Sequence, residues 1–118
     1  MLNLRHHSLV AWQRADDLFI EIHKLAGSRF PSDERFELST QIRRAAYSVA
    51  ANIVEGFAKR SDKERAHFLN IAEASLAEVG YCLHVARRLG YVDEALYSTL
   101  DVQVRQVAAP LVGLIRTV

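Results

Sequence analysis

The sequence predicts an all-α fold, an antiparallel up-down-up-down four-helix bundle, on three observations. Apolar residues recur at helical spacing in four separate stretches, those stretches are bounded by proline, glycine or capping signals, and no strand pattern competes.

The first helix is expected over 10–28, where Leu18, Phe19, Ile22, Leu25 and Ala26 share one side and Asp16, Asp17, Glu21 and Lys24 take the others. Phe30-Pro31 stops it, because proline offers no N–H and pushes the residue before it out of the α region. The second helix is expected over 37–58, with Leu38, Ile42, Ala45, Val49, Ile53 and Phe57 on one side. Its small residues Ala45, Ala46, Ser48, Ala50 and Ala51 suit packing on more than one side, and Gly56 marks either close packing or a fraying end. The third helix, over 62–89, opens on Ser61-Asp62-Lys63-Glu64, which has capping-box spacing. It closes on Arg87-Arg88-Leu89-Gly90, cations for the last carbonyls followed by a glycine stop. Its main stripe is Phe68, Ile71, Ala72, Ser75, Val79, Cys82, Leu83, Ala86 and Leu89. The fourth, over 93–116, carries Leu96, Leu100, Val104, Val107, Leu111 and Leu114, and Pro110 is expected to kink it by deleting one intrahelical bond.

No repeat or linker divides the chain, so one domain over 1–118 is expected, of a size that buries a core without disulfide or metal. Fifteen Lys and Arg against fourteen Asp and Glu make the total charge uninformative about polyanionic partners. The lone Cys82 in an apolar helical stretch reads as a core side chain in a reducing compartment. No apolar run reaches signal-peptide or membrane-spanning length, so no membrane contact and a cytoplasmic location are expected.

At about 100° per residue, His67, Ala74, Tyr81 and Val85 form a second weakly polar stripe on the third helix. Only Asn70, Glu73, Ala77, His84 and Arg88 remain for water, which points to self-association with Ala74, Tyr81 and Val85 as interface candidates. Large apolar residues also occur on ordinary surfaces.

Chemistry-bearing motifs are sparse. Glu64 and His67 have the Glu-x-x-His spacing of metal-binding bundles, but a second copy is missing and the cap already explains Glu64; no metal or other cofactor is expected. His6 and His7 read as a solvated pair. No phosphate loop, nucleophile elbow or Cys-x-x-Cys pair occurs, and the chain reads as non-enzymatic. The basic residues are more informative. Arg43 and Arg44 on the second helix, with Lys59, Arg60, Lys63 and Arg65 around the following turn, form a candidate phosphate-contacting patch, and Tyr47 offers a face for an unpaired base. A helix C-terminus attracts such cations for its own reasons, and Asp62 and Glu64 offset part of the charge. Gln41, Arg44, Ser48, Asn52 and Glu55 make a polar stripe, read as a structural network that fixes helix register in preference to a ligand site.

In order and combination, several segments resemble one family over nearly the whole chain. They are Val10-Ala11-Trp12-Gln13-Arg14-Ala15 with Asp17-Leu18, Phe30-Pro31, Gln41-Ile42-Arg43-Arg44-Ala45-Ala46 with Ser48, and Asn52-Ile53-Val54-Glu55-Gly56. Arg60-Ser61 with Lys63-Glu64, Phe68-Leu69, Ile71-Ala72, Ala74-Ser75-Leu76 with Glu78, and Leu89-Gly90-Tyr91 complete the set. The chain resembles the 23S rRNA intervening-sequence protein family, also called the four-helix-bundle protein family. Val54 and Ala50 depart from it, standing where alanine and proline are more usual. The resemblance implies a four-helix bundle, a ring-shaped homopentamer and no established catalysis. The same fold occurs in accessory proteins of diversity-generating retroelements, which bind nucleic acid and a reverse transcriptase.

The resulting expectation is an oligomeric, non-enzymatic bundle with RNA or DNA as candidate partner. A protein-interaction scaffold is the alternative, and an enzyme with its site between subunits the second.

Overall fold

The computed structural model describes residues 5–118. Residues 1–4, which the one-domain and N-terminal expectations include, lie outside the described residues. Four helices follow one another: α1 (Val10–Ser28), α2 (Leu38–Ala58), α3 (Asp62–Arg88) and α4 (Glu94–Ile115), with 3-10 turns at Arg5–Ser8 and Ser32–Glu34. Both α1 and α3 pack on α2 and α4, so consecutive helices are neighbours and the first closes against the last. The bundle measures 43 × 25 × 24 Å. Its long dimension matches the 27 residues of α3 at ~1.5 Å each, so one helix runs from end to end.

Local chemistry sets the boundaries. At the start of α3 the Glu64 N–H donates to the Ser61 hydroxyl at 3.1 Å, and that hydroxyl donates to Glu64 Oε1 at 3.1 Å. Gly90 closes the helix with φ of 80°, a left-handed conformation that costs glycine little. The Gly90 N–H then reaches the Arg87 carbonyl at 3.0 Å and the Tyr91 N–H the Ala86 carbonyl at 2.9 Å, which satisfies two end carbonyls. Asp93 caps α4 by accepting the Leu96 N–H at 2.8 Å. Arg87 crosses the connection, 3.4 Å from Glu94 and stacked 4.3 Å from the Tyr97 ring centre.

Ile22, Ile42, Ile53, Leu69, Leu83 and Leu111 are the largest wholly buried side chains, each contributing about 1.5–3 kcal/mol by leaving water. The small residues of α2 let α3 come close. A Cβ at Gly56 would lie 3.3 Å from the Arg65 carbonyl oxygen and 3.4 Å from Phe68 Cβ, so this glycine marks close packing. Farther along the same contact, Ser75 on α3 donates its hydroxyl to that of Ser48 at 2.8 Å. Asn52 donates to the same Ser48 oxygen at 2.9 Å and to the Ser48 carbonyl at 2.8 Å.

Three expectations need correction. Leu69 and Leu76 are buried although the single stripe omits them, because α3 packs on two neighbours and its buried face is wider than one stripe. Leu89 belongs to that stripe by spacing but is 53% exposed, since it caps the helix and lies beyond its packed face. His6 is buried with its ring 4.7 Å from that of Trp12, so the two histidines are not a solvated pair; burial first and His7 second hold its pKa down.

Two long-range ties join elements distant in sequence. Where α1 leads to α2, Phe30 packs at 5.6 Å on Tyr91, and the Tyr91 hydroxyl donates to Glu34 at 2.6 Å. That bond, with burial and further acidic charge, pushes the Tyr91 phenol up to about 12. In α4, Pro110 has no N–H for the Gln106 carbonyl, and Arg14 Nη1 from α1 donates to that oxygen at 2.9 Å.

An Arg14→Ala variant should therefore lose about 0.5–1 kcal/mol of stability in urea unfolding. The loss should shrink in a Pro110→Ala background, where residue 110 regains its N–H; an undiminished loss there would dissociate Arg14 from the proline gap. Ser75→Ala should cost about 1 kcal/mol, and adding Ser48→Ala to it should cost less than Ser48→Ala alone, because no Ser75 hydroxyl is then left without its acceptor. Strictly additive losses would argue against the shared network.

Candidate functional site

The structure splits the predicted basic patch in two. Arg43, Arg44 and Tyr47 lie in the first half of α2, whereas Lys59, Arg60, Lys63 and Arg65 gather around its far end and the start of α3. About 22 Å of helix separates Arg44 from Lys59 at the usual ~1.5 Å rise per residue. Within each group some cations are already engaged. Arg43 Nη2 donates to the His23 carbonyl on α1 at 3.0 Å, with Gly27 leaving room beside it. Arg65 Nη2 donates to the Lys59 carbonyl at 3.3 Å, while its guanidinium stacks 4.6 Å from the Phe57 ring centre. Lys59 lies 4.0 Å from Glu55 and over the Phe68 ring at 5.4 Å. Arg44, Arg60 and Lys63 are exposed and make no ion pair among the described residues.

Tyr47 is 60% exposed and sits edge-on to Phe19 at 5.8 Å. It lines a groove of about 300 Å³ between α1 and α2 with Trp12, Phe19 and Val54, and two carboxylates, Asp16 and Glu55, share the lining. Carboxylates so placed repel a phosphate backbone, so the groove does not favour Tyr47 as a stacking platform within the basic patch.

The assembly candidates lie on the outward arc of α3. Ala74 is exposed, Tyr81 is 66% exposed and Val85 half-buried. Tyr81 and Val85 edge a second groove, about 490 Å³ between α2 and α3, whose lining includes Leu38, Cys82 and Leu89. Glu34, Glu37 and Glu78 also border it, along with Gln41. Cys82 is buried, and burial with the nearby Glu78 charge pushes its thiol up, the opposite of what a reactive thiolate needs.

The polar stripe of α2 is likewise divided. Ser48 and Asn52 join the network with Ser75, Glu55 turns to Lys59, and Gln41 faces the α2–α3 groove. Ser75 was not legible as a polar partner, because spacing alone assigns it to the apolar stripe. Glu64 serves the cap of α3, and His67 is exposed with its ring edge-on to Phe68 at 5.1 Å. Among the described residues no group of three or more His, Cys, Asp or Glu is placed to hold a metal ion. Nor is any helix among them long and apolar enough to cross a membrane.

No curated protein matches the chain significantly. Among solved structures, it is similar to a protein of unknown function from the S23 ribosomal protein family of Bacteroides thetaiotaomicron. The TM-score is 0.84 and the identity 24%, over 91% of this chain and 96% of that one. At that identity the likeness shows the fold, an all-α four-helix arrangement. The model of the 23S rRNA-intervening sequence protein family matches residues 7–113, nearly the whole length, and the chain belongs to that family.

Proposed function

We propose that this chain is a self-assembling helical bundle whose assembled surface binds RNA or DNA. The observation that carries the assembly is the outward apolar face of α3, where Tyr81 and Leu89 stand more than half exposed beside the α2–α3 groove. Contiguous apolar surface of this kind marks a protein contact. A ring of five copies is the stoichiometry that the family resemblance implies.

Arg44, Arg60 and Lys63 support the nucleic-acid half, because their charges are not spent on neighbours within the bundle. Three such cations on one copy bind weakly, but several copies presenting them together gain by multivalency. The family's description, which names an intervening sequence of 23S rRNA, supports RNA as the polyanion. An interaction scaffold without nucleic acid is favoured at one place, the α2–α3 groove, where Glu34, Glu37 and Glu78 suit a protein surface better than a phosphate chain.

Light scattering on the purified chain at micromolar concentration should give a mass several times 13.3 kDa; a folded monomer would end the assembly reading. Structured RNA should bind with an affinity that falls as salt rises. The combined Arg44→Ala, Arg60→Ala and Lys63→Ala changes should flatten the log–log salt dependence by about 0.7–0.9 per contacting cation removed. Salt-independent binding, or binding untouched by the triple change, would remove the nucleic-acid half while leaving assembly standing.

A further inference from the structure

The groove between α1 and α2 keeps aromatic and carboxylate surface open, although Trp12 also packs on His6 and His7 and Phe19 on Tyr47. Trp12 and Phe19 enter it from α1 and Tyr47 from α2, while Ala50, Ala51 and Val54 keep the remaining lining small and apolar. Asp16 and Glu55 place a carboxylate on each helix. Aromatic faces and carboxylates both attract positive charge, and both repel an anion. A guanidinium suits such a groove best, since its planar face stacks on a ring while its edge donates to a carboxylate. Lys59 does not fill that role: it reaches Glu55 only at 4.0 Å, with its ammonium over Phe68.

The chain carries a shallow surface of matching character on another side, lined by Tyr81, His84, Val85, Arg88 and Leu89. Arg88 is exposed at the end of α3, beside Tyr81, Val85 and Leu89, and it makes no ion pair among the described residues. Its neighbour Arg87 is committed to Glu94 and Tyr97. An exposed cation among Tyr81, His84, Val85 and Leu89 on α3 thus complements a groove of aromatic rings and carboxylates between α1 and α2.

We propose that Arg88 of a second copy seats its guanidinium in the groove of Trp12, Phe19 and Tyr47. The inference rests on the self-assembly reading and specifies which faces meet: the outer face of α3 around Arg88 of one copy against the α1–α2 groove of the next. Two different faces make a head-to-tail contact, which either closes into a ring or continues as a filament.

Trp12 is the only tryptophan in the chain, so its emission reports on the groove directly. Assembly should be followed by dilution, with light scattering for mass, Trp12 fluorescence for the groove and circular dichroism for folding. Arg88→Glu and Glu55→Arg should each raise the dissociation constant by about thirtyfold or more while helicity stays unchanged. The double charge swap should recover most of that loss, and wild-type Trp12 emission should shift as copies separate. If Arg88→Glu assembles like wild type, or Trp12 emission is the same in assembled and separated chains, the proposed seating is overturned and self-assembly survives. A wild-type chain that remains monomeric overturns both.

Discussion

Close approach of α2 and α3 is the constraint on which the rest of the bundle depends. Neither helix has a long connection to absorb misfit, since only three residues separate Ala58 from Asp62. The hairpin closes because α2 presents Gly56 where a bulkier side chain would meet the Arg65 carbonyl and Phe68 of α3. Beyond Gly56 the two backbones run within reach of a serine pair, and the Ser48–Ser75 bond exists only at that separation. A bond between these part-buried hydroxyls is worth little as net energy but discriminates against a slipped register, which would leave the Ser75 hydroxyl without its partner. Apolar burial thus supplies stability, while these polar atoms select one alignment.

The outer helices then attach through groups that repair gaps in backbone bonding. Pro110 removes a donor from the last third of α4, and Arg14 supplies one from α1, so a local defect becomes a tie between the first and last helices. The two connections at the opposite end meet through Tyr91 and Glu34. Sequence distance matters little for these ties once the core has set the helices side by side.

How much of this was legible in the sequence depended on whether a local signal existed. The helix limits near Ser61 and Gly90 could be read because capping is a property of a few adjacent residues. The second buried edge of α3 could not, because periodicity gives the direction of a side chain but not the number of neighbouring helices; Leu69 and Leu76 are the cost. Assembly candidates fared differently from basic ones. Tyr81 is a ring with few torsions, so its outward placement followed from its register. Arg43 and Arg65 have long, flexible side chains that leave the surface at predictable points and then bend back to carbonyls on α1 and at the α2 terminus. Nothing in spacing encodes that bend.

This bending divides the cations into two kinds and shapes what the surface can do. Arginines that lie along apolar flanks and donate to backbone oxygens are part of the scaffold, and losing one leaves a carbonyl without that donor. Of the cations without an ion pair among the described residues, Arg60 and Lys63 fall where α2 passes into α3 and Arg44 and Arg88 elsewhere, while carboxylates border both grooves. The grooves beside α2 are thereby unfavourable to phosphate and suited to protein, whereas Arg60 and Lys63 occupy one end of the bundle. In a cyclic assembly every copy of that turn lies on the same rim, because rotation about the axis leaves height unchanged. A pair of exposed cations that is weak on one copy would then recur at every copy, with Asp62 and Glu64 of the same turn offsetting part of its charge.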